Sequence, residues 1–98
     1  MLYMIVGFDV EGSLAARMEA RPAHVARLKA LSAQGRLVMA GPNPAIDSEQ
    51  PGEAGYSGSL IVAAFDSLEE AQRWADADPY IEAGVYDRVM IRPFVRAL

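Results

Sequence analysis

The sequence predicts an α+β domain in which a four-stranded antiparallel sheet carries two helices on one face. Three observations predict it: four apolar runs of strand length, two helical stretches with their own start and stop signals, and the order strand–helix–strand–strand–helix–strand. The 98 residues fit one domain spanning 1–98, because domains mostly run to about 100–150 residues. With 52% apolar and 22% charged residues, the chain has the composition of a folded protein rather than a disordered one.

Leu2–Val10 reads as the first strand, with Leu2, Met4, Val6, Phe8 and Val10 on one face and Tyr3, Ile5 and Gly7 on the other. Both faces are largely apolar, which suits a central strand. Glu11-Gly12-Ser13 breaks it, and Ser13 is placed to cap a short helical stretch through Glu19. Pro22 fits the first turn of a longer helix, where its missing N–H costs nothing. That helix is expected to reach about Ala33 and stop at Gly35. His24, Leu28 and Leu31 share one of its faces, and Arg27 and Lys29 take solvated positions.

Arg36–Gly41 is the second strand. Gly41-Pro42-Asn43-Pro44 is expected to end it, since prolines cannot donate to a ladder, and a polar loop follows from Asn43 to Ser57. Ser59–Phe65 is the third strand. Ser67 and Glu70 then have the spacing of a capping box, and Leu68, Ala71, Trp74 and Ala75 form the inward face of the second helix. Pro79 disfavours helical geometry at Asp78, so this helix ends near Ala77. Val85–Val95 is the last strand. The order is that of a ferredoxin-like βαββαβ domain.

Two helices cover only one face of such a sheet. With Tyr3, Ile5, Met90 and Phe94 assigned to the other, an apolar patch is left exposed, and a symmetric homodimer is the expected way to cover it.

Several function classes are disfavoured. A net charge of −4 with scattered basic residues argues against a nucleic-acid partner. The absence of cysteine removes disulfides, thiolate chemistry and cysteine-bound zinc. One histidine among scattered carboxylates gives no metal-ligand spacing. With no phosphate loop or dinucleotide fingerprint either, no cofactor is expected. Asp9 and Glu11 interrupt the apolar N-terminus too early for a signal peptide or a span of about 20 residues, so a cytoplasmic protein without a membrane partner is expected.

Two residues carry the best case for chemistry. His24, the one histidine, sits one turn inside the expected helix N-terminus, within reach of its dipole, and an imidazole is the usual proton-transfer group. Asp78 is held by the proline after it, and both helices lie over the same sheet face, so the two side chains can meet. A carboxylate on one ring nitrogen fixes the tautomer and makes the other nitrogen a better base. Read alone, His24 is as well explained by a half-buried hydrogen-bonded ring, and Asp78 by an Asx turn. Arg21 is placed to clamp a substrate carboxylate. Small residues at Gly41 and Gly58-Ser59 let a ligand approach the backbone. Trp74, Tyr56, Tyr80 and Tyr86 are pocket or core residues.

Arg21-Pro22-Ala23-His24, Gly35-Arg36-Leu37, Ala40-Gly41-Pro42, Gly58-Ser59-Leu60, Ser67-Leu68-Glu69-Glu70-Ala71, Asp78-Pro79-Tyr80 and Ile91-Arg92-Pro93-Phe94 together resemble the YciI-like family across nearly the whole chain. The resemblance implies a dimeric ferredoxin-like domain with a histidine–aspartate pair as active site, mapping here onto His24 and Asp78. It implies a pocket completed by Arg21, Gly41, Ser59 and Tyr80. A branch of the family resembles enzymes that act on small acids from aromatic ring cleavage by elimination or isomerisation. The expectation is therefore a lyase or isomerase that moves a proton on a small organic acid without a cofactor. The rivals are a non-catalytic ligand-binding or accessory module and a cofactor-free oxygenase.

Overall fold

The structure is a computed structural model and describes all 98 residues. Its elements are β1 (Leu2–Asp9), α1 (Leu14–Ala33), β2 (Leu37–Pro44), β3 (Tyr56–Ala64), α2 (Leu68–Asp76), α3 (Pro79–Glu82) and β4 (Tyr86–Phe94), with a 3₁₀ turn at Gly52–Ala54. The strands pair antiparallel throughout in the order β2-β3-β1-β4. This is the ferredoxin-like arrangement, and β1 is central as its apolar faces require.

Tyr3 and Ile5 do not lie on the open face of the sheet, as the sequence suggested. They are buried with Ile61, Ala63 and Ile91 beneath Leu31, Ala71 and Ala75 of the helices. Strand alternation then puts Leu2, Met4, Val6 and Phe8 on the open side, where the register pairs Val6 with Met90 and Leu2 with Phe94. Both alternations of β1 are apolar, so hydrophobicity alone could not say which of them the helices cover. Met90 and Phe94 do lie on the open face.

The first helix is one continuous element of 20 residues, not a short stretch followed by a second helix starting at Pro22. Pro22 lies in its interior on the exposed side, where the carbonyl it leaves unpaired can reach water. His24 therefore stands in the third turn, beyond the reach of the terminal dipole. Arg27 is half-buried rather than solvated: its Nη2 donates to the Trp74 carbonyl at 2.7 Å and its guanidinium covers the Trp74 ring at 4.2 Å. Burial lowers the Arg27 guanidinium from its usual range, against the opposing charge of Asp78.

β2 continues through Pro42 and Pro44, past the expected stop at Gly41. It is the edge strand, and residues 42 and 44 have the same parity. Their missing N–H groups can both fall on the side that has no partner strand. Ser67 caps α2 as expected, accepting from the Glu70 N–H at 3.1 Å. No helix is long and apolar enough to cross a membrane.

Candidate functional site

The site is built where α1 crosses the sheet and meets the chain after α2. The turn anticipated at Asp78-Pro79 is the start of a helix: Asp78 caps α3, accepting from the Tyr80 N–H at 2.9 Å, with Pro79 in the first turn. The same carboxylate meets His24 Nδ1 at 2.9 and 3.0 Å through its two oxygens. Both side chains are buried, at 6% and 3% exposure. A carboxylate only accepts, so the proton of the neutral ring belongs on Nδ1 and Nε2 is left as the acceptor. The Tyr80 ring stacks on the imidazole, with centroids 4.0 Å apart and planes 14° apart.

His24 lines a cavity of about 360 Å³ between α1 and β2–β3. Arg21, Gly41, Ser59 and Tyr80, the other pocket residues expected from the sequence, line it too. Asp78 does not; it stands behind the histidine. Gly41 contributes as open edge backbone, since a side chain there would meet no other atom. Gly58 is different, because a Cβ would collide with the Gly7 carbonyl across the β1–β3 pairing. Trp74 packs against the core with Phe65, and Tyr86 covers Gly7 and meets Tyr80 edge-on with centroids 5.4 Å apart.

The residue that sequence reasoning missed is Arg17. It is 4% exposed, and its guanidinium grips Asp9 with Nε to Oδ2 at 2.8 Å and Nη2 to Oδ1 at 2.9 Å. Nη2 also donates to the Ser59 hydroxyl at 2.8 Å and the Gly58 carbonyl at 3.1 Å. The guanidinium carbon lies 4.6 Å from the centre of the Tyr80 ring. A signal was present, because Arg17 precedes His24 by seven residues, two helical turns, and so continues the stripe of His24, Leu28 and Leu31. An arginine on that stripe reads as solvated only until a carboxylate is found for it.

Burial by itself would lower the Arg17 guanidinium, but the hydrogen bond and charge of Asp9 outweigh it and leave it above its usual value. Burial pushes the Tyr80 phenol up, with Arg17 working the other way. Tyr86 is also pushed well up by burial, against the Ser59 hydroxyl. No group of three or more histidine, aspartate or glutamate side chains is placed to hold a metal ion.

Fold and site together define a ferredoxin-like domain with a buried histidine–aspartate pair at the wall of a cavity. Residues 1–95 match the YCII-related domain family, and the chain belongs to it. It is 56% identical over 94 residues to Protein YciI of Escherichia coli O6:H1, covering 96% of each chain. An uncharacterized protein of Haemophilus influenzae is 51% identical over 94 residues, again with 96% of each chain covered. Among solved structures, TftG of Burkholderia phenoliruptrix AC1100 superposes with a TM-score of 0.86 at 24% identity, over 99% of this chain and 96% of that one. TftG is a 5-chloro-2-hydroxyhydroquinone dehydrochlorinase in complex with 2,5-dihydroxybenzoquinone, and its likeness to this chain is one of fold.

Proposed function

We propose that the protein is a lyase or isomerase in which His24 moves a proton on a small organic acid. The observation that carries this reading is the hydrogen bond of His24 Nδ1 to both oxygens of Asp78 on a ring that lines a cavity. Nε2 then has a lone pair to offer a ligand, and Asp78 acts as a positioning residue. It holds the ring in one orientation and stabilises the imidazolium that forms when Nε2 takes a proton. Arg21 and Lys29 supply positive charge at the cavity, and no aspartate or glutamate lines it, which suits an anionic ligand. The dehydrochlorinase that shares the fold carries out, by its name, an elimination, so the analogy is with the fold and not with this site.

The test is turnover of small organic acids by the wild-type protein and two variants. His24→Ala is expected to lose about 10²–10⁴-fold in kcat, the usual contribution of a positioned general acid or base. Asp78→Asn is expected to lower kcat more than it changes KM and to alter the pH profile, as loss of a positioning group does. Unchanged turnover in both variants would remove the reading.

We infer further that two copies pair through the open face of the sheet. Met4, Leu60, Val62 and Phe94 form an apolar groove there with Met39 of the edge strand. Helices cover the other face of the sheet, and this one is left without a covering element.

A further inference from the structure

We propose that Arg17 is a second ligand-contacting group, and that it holds a ketone or enol oxygen while Arg21 and Lys29 hold the carboxylate. This rests on the reading of the cavity as an organic-acid site and narrows its ligand to acids with an enolisable carbonyl at the inner end.

The three cations of the cavity are not equivalent. Arg21 and Lys29 are exposed and take part in none of the ion pairs of the molecule, which join Arg17 to Asp9, His24 to Asp78, and Arg73 to Glu69 and Glu70. Their charge is uncompensated, which suits a full carboxylate arriving from water. Arg17 is buried and its charge is already matched by Asp9. A second full carboxylate beside that matched pair would add an unpaired buried charge, which is costly. The guanidinium still has donors to give. Nε and Nη2 make the four hydrogen bonds to Asp9, Gly58 and Ser59, which leaves Nη1 beside the Tyr80 phenol on a residue that lines the cavity.

A donor that is charge-matched, rigidly held and part of the cavity wall is what a carbonyl oxygen needs when negative charge develops on it. Such a donor costs no reorganisation at the moment of reaction. Arg17 and His24 flank the same aromatic side chain, within 4.6 and 4.0 Å of the Tyr80 ring centre. Both also line the one cavity. His24 Nε2 takes the proton from the carbon next to the carbonyl. The C–H electron pair becomes the C=C bond, and the carbonyl π pair moves onto oxygen, where Arg17 Nη1 donates to it. Collapse of the enolate then either takes a proton back at another carbon or expels a leaving group with its electron pair.

Benzoate, 3-hydroxybenzoate and 4-hydroxybenzoate separate the two roles, because a phenol hydroxyl stands in for the enol. Affinities are measured by calorimetry for the wild type, Arg17→Lys and the Arg21→Ala/Lys29→Ala double variant. The double variant is expected to weaken all three acids by a similar factor, of order 10–100 for a lost charge-assisted contact. Arg17→Lys is expected to leave benzoate unchanged and reduce the better hydroxybenzoate to benzoate's affinity. In the wild type, which needs no substitution to fold, the Arg17 side-chain nitrogen resonances are expected to move with that hydroxybenzoate and stay still with benzoate. If benzoate moves them equally, or Arg17→Lys weakens benzoate as much as the hydroxylated acids, Arg17 is a carboxylate clamp and the division is overturned. If all three acids bind and the Arg17 resonances never move, Arg17 is structural only. If none binds the wild type, the organic-acid reading of the cavity falls as well.

Discussion

Asp78 serves two partners with one carboxylate, the His24 ring and the first turn of α3, so the orientation of the imidazole and the start of a helix are fixed together. Behind them the buried Tyr80 phenol meets the half-buried Tyr86 ring edge to face. Burial raises both above the ordinary range, so the folded protein holds protons that the unfolded chain releases near pH 10. Where the folded state binds more protons, stability falls with rising pH. The contribution of these groups is thus whole below about pH 10 and is lost progressively as pH climbs toward their folded-state values. The chemical-denaturation midpoint is expected to hold to about pH 10 and then drop, and Tyr86→Phe is expected to flatten the drop. A Tyr86→Phe protein with the wild-type alkaline profile would show that this phenol is not responsible.

At the scale of elements, what could be read in the chain followed from whether one local rule decided it. Ser67 and Glu70 bound α2, and Gly35 follows the last turn of α1, as their chemistry dictates. The prolines show the opposite case. Pro22 signals a helix start only if nothing before it is helical. Here the packing of Arg17 and His24 on one stripe outweighs the cost of an interior proline, about 3 kcal/mol for the lost hydrogen bond and the ring's clash together. Pro42 and Pro44 signal a strand end except on an edge, and edge position is a property of the assembled sheet. The helix of four residues after Asp78 is too short to carry any periodicity, although its cap and its proline were both visible. His24 and Asp78 were legible as possible neighbours because both helices lie over one sheet face, whereas Arg21 and Ser59 were tied to the same pocket only through the resemblance to the YciI-like family. Arg17 was not legible, because its partner Asp9 lies eight residues before it at the end of β1, and no periodicity links a strand end to a helix face.

For the whole molecule, one consequence of a four-stranded sheet with helices on a single face is that its other face is left open. The groove lined by Met4, Leu60, Val62 and Phe94 has a volume of about 250 Å³ and holds little polar surface. A second copy covering it is the simplest closed solution. Sedimentation is expected to give a dimer for the wild type and a monomer for Leu60→Glu, which puts a charge in the middle of the groove. A monomeric wild type, or a Leu60→Glu protein that still dimerises, would move the interface elsewhere. The cavity and its His24–Asp78 pair lie on the opposite, helix-covered side of the sheet.

Asp78 is proposed to fix the His24 tautomer and leave Nε2 to meet a ligand. With one histidine in the chain, a long-range proton–nitrogen spectrum of labelled protein reports on this ring alone. The spectrum would be recorded at mildly alkaline pH, where an ordinary imidazole is neutral. The expected spectrum has the proton on Nδ1, an unprotonated Nε2 whose resonance moves when benzoate is added, and loss of that tautomer preference in Asp78→Asn. A proton resting on Nε2, or an Nε2 signal indifferent to benzoate at saturating concentration, would contradict it.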